Sequence, residues 1–299
     1  MPEFLLELYS EEIPPQLQIN ARNQLKQQLE TSLEKEGIKN KECFEYSSPT
    51  RLSIYIKGLP EKIEIDSKEI KGPKVGVPEN ILQGFTNSHN VSKKDLFKKK
   101  IEKGEFYFIK TIKKNILVED LLANILPKAI SAINWKKSMK WSTNNLMWGR
   151  PLRPIFSIFN CKKLNFKYQH LESTDNIIIE QDLITKFQKI KSFNDYFSFL
   201  KSNKIIVDQN ERQKIILKRF NSVSKSKNYK EHYNQRLLEE VVNIVENPNV
   251  LLINFEKDYL KIPQEIIIST LEKHQRYFPI FDSRERLTNY FFVVANKKD

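Results

Sequence analysis

The pattern of apolar residues along this 299-residue chain predicts an α+β fold of mixed sheets with packed helices. Two observations carry that expectation. Stretches with a helical repeat and short apolar stretches of strand type follow one another without the regular alternation of a doubly wound sheet. No internal repeat is present.

Phe4–Leu8 is a short apolar run before the turn-like Ser10–Pro15, and it predicts a strand. Leu17, Ala21, Leu25, Leu29 and Leu33 recur every fourth position and Gly37 follows, which predicts a helix with a glycine stop. Cys43–Tyr46 and Leu52–Ile56 are further strands, the second alternating Leu52, Ile54 and Ile56 with Ser53 and Tyr55. Residues 60–76 place Pro60, Gly72, Pro73 and Gly76 among charges, so an irregular connection between two lobes is expected there. A polar helix is expected over 79–100 and a strand over Glu105–Ile112. Val118, Leu121, Leu122, Ile125, Leu126, Ala129, Ile130 and Ile133 predict a helix, kinked at Pro127 because its ring displaces the Ala123 carbonyl. Leu152–Phe159, Leu164–Tyr168 and Asn176–Glu180 have strand character. Phe193–Leu200, Glu211–Phe220 and Gln235–Val245 are helical in pattern, with the low-complexity 221–230 as a surface loop. Val250–Phe255, Arg276–Phe281 and Tyr290–Ala295 are the last strands, and Gln264–Leu271 the last helix.

Fifty Lys and Arg against 37 Asp and Glu give a net charge of +13. Such an excess favours polyanions: RNA, DNA or an anionic membrane surface. Crowding by Lys, Asn and Ile, which share AT-rich codons, explains the same excess through genome composition. The two cysteines, Cys43 and Cys161, have neither metal-ligand spacing nor a disulfide framework, as in a reducing cytosol. The opening MPEFLLELYSEEIPP lacks a signal peptide's basic and apolar regions. No run approaches the ~20 apolar residues of a membrane span. A soluble cytoplasmic chain is expected, with no membrane partner.

A search for chemistry returns neither a catalytic residue nor a metal ligand. GxxxxGK[ST], GxSxG, HExxH and CxxC do not occur. His89, His170, His232 and His274 are scattered singly. Glu11 with Glu12, and Glu239 with Glu240, are adjacent acids, but neighbours on a helix do not converge on one point. In KGPKVG, Gly72 and Gly76 are the only close pair of glycines, with Lys71 before the first and Lys74 between them, a phosphate contact or a solvated turn. MKWSTNNLMWGRPLRP, residues 139–154, combines two tryptophans with basic residues, the side-chain set that stacks on unpaired RNA. The same residues would equally anchor a loop, with Trp141 and Trp148 in the core and Arg150 and Arg153 on local carbonyls. KHQRYFPIF, residues 273–281, is either an RNA-facing edge or a helix end with favourable cations before a buried Tyr277–Phe278 strand.

Together these stretches resemble the beta subunit of the bacterial heterotetrameric glycyl-tRNA synthetase. FLLELYSEEIPP is similar to that family's first strand and glutamate–proline turn, and SSPTRLSIYI to its next segment. KGP at 71–73, Lys103–Phe108, MKWSTNNLMWGRPLRPIF, LLEEVVNIVENPNVL, IPQEIIISTLEKHQRYFPIF and FFVVAN follow in order across nearly the whole chain. One departure is Ile179–Asp182, IEQD, where the family carries an arginine–glycine–histidine cluster. Another is length: family members continue into a domain related to HD phosphohydrolases and an anticodon-binding domain, so this chain is expected to be a fragment of such a protein.

The resemblance implies a B3/B4-like N-terminal region over 1–299, as in the phenylalanine enzyme's beta subunit. It implies an alpha-subunit partner in an alpha2beta2 tetramer, with ATP, Mg and glycine activation on that alpha subunit and no cofactor on this chain. It also implies tRNA(Gly) as partner, and the candidate contacts, taken from the basic and aromatic stretches above, are Arg51, Lys71, Lys74, Trp148, Arg150, Arg153, His274 and Arg276. A stand-alone RNA-binding module and a scaffold whose charge reflects codon usage are the competing readings.

Overall fold

The computed structural model describes residues 2–39, 42–65, 69–110, 114–141, 145–181, 184–230 and 233–296. Ile112, Asp182, His232 and the last three residues, which figure in the sequence expectations, lie outside that set. The fold is α+β, with helices packed on mixed and antiparallel sheets. Two compact units are distinguished, one of Met1–Leu59 with Leu122–Asp299 and one of Pro60–Leu121.

The larger unit begins with β1 (Glu3–Ser10), α1 (Pro15–Lys35), β2 (Glu42–Ser48) and β3 (Arg51–Lys57). The smaller holds β4 (Lys62–Ile65), β5 (Glu69–Lys74), α2 (Glu79–Ser88), β6 (Leu96–Ile101), β7 (Gly104–Lys110) and β8 (Lys114–Leu117). After α3 (Val118–Ser131) come the short β9 (Met139–Lys140) and β10 (Met147–Trp148), then β11 (Leu152–Phe159). Next are β12 (Lys162–Lys163), β13 (Lys167–Tyr168), β14 (Leu171–Thr174), β15 (Asn176–Gln181) and β16 (Ile184–Lys189). The chain ends with α4 (Phe193–Ser202), α5 (Gln209–Lys227), β17 (Tyr229–Lys230), α6 (Gln235–Val242), β18 (Asn249–Asn254), α7 (Gln264–Ser269), β19 (Phe278–Asp282) and β20 (Leu287–Ala295).

The main sheet runs β13-β14-β11-β1-β3-β2, with β12 also on β11. Its central β1 is antiparallel to β11 (Leu5 opposite Ile158) and to β3 (Leu5 opposite Tyr55). Both faces of β1 are covered, which explains its nearly unbroken apolar run. Leu5, Tyr55, Phe156 and Ile158 share one face with Ile177 and Ile179 of β15 and Tyr196 and Leu200 of α4. The apolar stripe of α1, with Leu25, Leu29 and Leu33 fully buried, packs by β2 and β3. A second core joins Ile216 and Phe220 of α5 and Leu238 and Val241 of α6 to Phe278, Ile280 and Phe292 of the sheet β17-β19-β20-β18.

Arg212 ties these parts of the larger unit together. Fully buried, it donates to the carbonyls of Val242, Ile206, Val207 and Ser47. Four carbonyls compensate the desolvation of one guanidinium, whose five N–H groups match such a ring of acceptors. Burial still lowers its pKa, to about 10.

Several elements depart from the sequence expectation. Residues 60–76 are not an irregular connection: β4 and β5 occupy most of them, and Gly72–Pro73 fall where the β5–β7 register shifts. Proline tolerates such a break in the ladder because it has no N–H to leave unpaired. The helix expected over 79–100 stops at Ser88. Asn90 turns left-handed at φ 54°, Ser92 and Asp95 close a capping box, and β6 follows. Residues 221–230 are not a loop, because α5 continues through Lys227 and ends on Asn228 in the left-handed region. Val223 and Ser224 extend the buried side of α5 begun by Ile216 and Phe220, so tertiary burial outweighs the polar composition. The strand of 164–168 contracts to Lys167–Tyr168, and β16, expected from nothing in its exposed side chains, pairs with β15. α6 ends at Val242 rather than Val245, and β19 starts at Phe278 rather than Arg276. No helix of the described residues is long and apolar enough to cross a membrane.

Candidate nucleic-acid interface

The sequence marks eight residues, and the structure sorts them into four settings. The first is the middle of the main sheet. Glu7 sits in the buried run of β1, and Arg51 at the start of β3 lies beside it, Nε to Oε2 3.3 Å, both side chains 1% exposed. The Tyr196 hydroxyl lies 2.7 Å from Glu7 and 2.7 Å from the Ser53 hydroxyl. Arg51 also donates to the carbonyl of Ile178 and, at 3.2 Å, to the Thr50 hydroxyl. Burial raises the pKa of Glu7 above the usual carboxylate value, against the pull of Arg51. Burial likewise opposes the charge of Arg51, but Glu7 and Glu246 outweigh it and hold its pKa above the ordinary value. Arg51 is thus the counter-ion of a buried carboxylate and does not face solvent. The expectation that it meets an external polyanion is corrected: a charged strand residue next to an acid buried 44 positions earlier in the chain is drawn inward.

Above this pair lies a rim. The Arg51 guanidinium is 4.5 Å from the Tyr9 ring centre, and the Tyr9 hydroxyl donates to Glu180 at 3.1 Å. Burial and then Glu180 raise the Tyr9 pKa to about 12, although Arg51 opposes. Arg153 pairs with the same Glu180 and reaches Glu11 at 3.6 Å. The IEQD segment therefore has a role in this chain: Glu180 takes the hydroxyl of β1 and the guanidinium of β11. Arg153 is 40% exposed but already engaged by two carboxylates.

The tryptophan segment anchors. Trp148 is 1% exposed, its ring 4.8 Å from Trp135 and 6.4 Å from Tyr168. A side chain at Gly149 would come within 2.5 Å of Trp135, so only glycine lets the Trp135 ring lie that close. Trp148 is consequently a core residue rather than a stacking surface, which corrects the second sequence expectation. Its partner Trp135 was not singled out because AINWKKS carries no feature beyond the ring itself. Arg150 is half-buried and donates to the Gly149 carbonyl at 2.9 Å.

His274 and Arg276 follow α7, where Thr270–Gln275 widen into a π-helical turn. Such turns shift the side chains beyond them and recur at functional sites. Arg276 closes the turn with φ 57°, and its Nε donates to Glu240 at 2.8 Å. Gln16 reaches the same carboxylate at 3.2 Å, beside an open groove of about 440 Å³ lined by α1 and α6. His274 is exposed, while Phe278 after it is buried.

Lys71 and Lys74 lie on β5 in the smaller unit and are both exposed. Lys71 Nζ is 3.7 Å from the centre of the Phe106 ring. Neither lysine has an acidic partner among the described residues. The marked residues are spread over different elements, Lys71 and Lys74 in the smaller unit and the other six in the larger. No three His, Cys, Asp or Glu among the described residues come together as metal ligands. Burial raises the Cys43 thiol to about 12, far from the range of a reactive thiolate.

The family described as glycyl-tRNA synthetase beta subunit matches residues 4–299. Among curated relatives, the chain is 33% identical over 298 residues to a glycine–tRNA ligase beta subunit of Rickettsia felis, covering 99% of this chain and 45% of the relative. It is 35% identical over 297 residues to one of Rickettsia typhi, covering 99% and 44%. It is 32% identical over 299 residues to one of Dictyoglomus turgidum, covering 98% and 43%. The chain spans less than half the length of these relatives.

Proposed function

The chain belongs to the glycyl-tRNA synthetase beta-subunit family, and from that premise we propose that it serves glycine–tRNA ligation by binding tRNA(Gly) and assembling with a separate alpha subunit. The observation that carries this reading is a family match running through residues 4–299 without restriction to one motif. In this reading the alpha subunit holds ATP, Mg and the adenylate chemistry, the two chains form an alpha2beta2 tetramer in the cytoplasm, and residues 1–299 correspond to a B3/B4-like region.

The geometry favours a positioning role. The Glu7–Arg51–Tyr196 cluster is buried and internally paired, so it offers no acid or base to a substrate. Positioning is nonetheless catalytically large, since a displacement of about 1 Å can cost roughly a hundredfold in rate. Lys71, Lys74, Arg150 and His274 are the members of the marked set that have no carboxylate partner among the described residues. They are the better candidates for phosphate contact than Arg153 and Arg276, whose charges are already paired.

Two measurements test the reading. Binding of tRNA(Gly) to the chain is expected to weaken steeply with salt, and the chain is expected to co-purify with alpha subunit and raise glycylation. Absence of tRNA binding at low salt would remove the tRNA role. Failure both to co-purify and to raise glycylation would remove the assembly role.

A further inference from the structure

The smaller unit contains a sheet of order β5-β7-β6 whose two faces differ in kind. On one face Ile109 is buried, and Phe85 of α2 lies so close to Gly72 that a side chain there would meet it at 2.6 Å. On the other, the register aligns Lys71, Phe108 and Phe97 in one row and Lys74, Phe106 and Lys99 in the next. Phe97 and Phe108 stack at 6.0 Å. Lys99 is taken up by Glu69 at 2.5 Å. The Lys71 ammonium stands 3.7 Å from the centre of the half-buried Phe106 ring. The stem of Lys74 lies along Gly104 beside the same ring, where an added Cβ would sit 3.1 Å from Lys74 Cε and 3.9 Å from Phe106. Gly104, at φ 120°, is what leaves room for that lysine. The Lys71 ammonium thus stands over this ring and the Lys74 stem runs close by at Gly104, and neither lysine has a carboxylate partner among the described residues.

We propose that this face is a binding site for an unpaired RNA strand, with one base stacked on Phe106 and the neighbouring phosphates on Lys71 and Lys74. The proposal deepens the tRNA-binding reading and rests on it for the source of the strand, an unpaired segment of tRNA. A cation over a half-buried ring is held less strongly than a stacked base, so a base displaces the Lys71 ammonium, which then meets a phosphate. An A-form duplex gives Phe106 nothing to stack on, because its bases are already paired and stacked. Two lysines alone would attract any polyanion; the ring beside them selects for unpaired bases.

The test is fluorescence anisotropy of the full chain with a short fluorescein-labelled oligouridylate and with a labelled blunt-ended RNA duplex that has no loop, at low salt. Phe106→Leu is expected to weaken the single strand about tenfold and to leave the duplex unchanged, while Phe106→Tyr retains binding. Lys71→Ala with Lys74→Ala is expected to reduce the slope of log K against log salt by about 1.4, the release of two single-strand phosphate contacts. If Phe106→Leu does not fold by circular dichroism, the lysine pair decides. Unchanged single-strand binding in the folded variants, or no single-strand binding by the unaltered chain, overturns the proposal. Intact tRNA binding in variants that lose nothing would leave the functional reading standing and remove this face from it. Oligouridylate binding that is lost in the variants, without tRNA binding by the unaltered chain, would uphold the face and overturn the functional reading.

Discussion

Replacing Arg51 with methionine removes the cation 3.3 Å from Glu7 and leaves a carboxylate in the middle of a covered sheet. At an effective dielectric constant of about 20, charges at that distance attract by about 5 kcal/mol. The variant does not lose all of it, because the carboxyl group can take up a proton. From an ordinary pKa of 4.5, protonation costs at most about 3 kcal/mol at pH 7, an upper bound because burial already raises the value beside Arg51. That route is the cheaper and therefore limits the electrostatic loss. The Ile178 carbonyl, which also loses its donor, adds about 1 kcal/mol. The expected total is about 4 kcal/mol at pH 7. At pH 5 protonation costs under about 1 kcal/mol, so the total falls to about 2 kcal/mol. The sign follows from the direction of the shift. Glu7 has its pKa raised in the folded state, so its contribution is present below pH 4.5 and is lost as pH rises. Without Arg51 the raised value climbs further and the loss steepens. Urea unfolding of both proteins at the two pH values measures the difference. The double variant Glu7→Gln, Arg51→Met should recover most of the loss, since no charge is stranded. A single-variant loss under about 1 kcal/mol at pH 7, or one that is equal at pH 5, would refute the reasoning.

Further outcomes follow from the same geometry. Trp148→Ala is expected to cost about 3–5 kcal/mol of stability, read from urea unfolding, because its ring fills the space between Trp135 and Tyr168. Arg212→Met, which leaves four carbonyls without their donor, is expected to cost about 3–5 kcal/mol in the same assay. Arg153→Ala should change stability by less than about 1 kcal/mol, its pairs being exposed to solvent. Tyr9, with its pKa raised from 10 to about 12, contributes stability that is intact below pH 10 and lost as pH climbs toward 12. Alkaline unfolding of Tyr9→Phe should lack that part of the decline; an identical alkaline limb would exclude the raised phenol.

Elements with a long, clean period were legible. The fourfold spacing of Leu17–Leu33 and the alternation of Leu52–Ile56 each describe one element with a buried side, and both stand as expected. Misreadings fell where local composition and tertiary burial disagree. The segment Asn221–Lys227 looks like a loop by its Ser and Lys content, yet it carries Val223 and Ser224 into the core beside α6. β16 has only exposed side chains, so its strand state comes from its hydrogen-bonded partner β15. The smaller sheet was hidden because Lys98–Lys100 and Gly72–Pro73 mask its alternation.

By itself the sequence determined the α+β class, most element positions and, through the ordered matches from FLLELYSEEIPP to FFVVAN, the family. It did not determine which of its cations face outward. An arginine beside a strand reads the same whether it meets solvent or a buried acid. The acid in question, Glu7, and the hydroxyl that completes the cluster, Tyr196, are 189 positions apart. Only the tertiary structure sets Arg51 against Glu7, Arg153 against Glu180, and Lys71 over Phe106 with no acid paired to it among the described residues. Burial makes the difference: it forces a charge to find its counter-ion inside the fold, and it leaves for an external partner only the charges that the fold has not already paired.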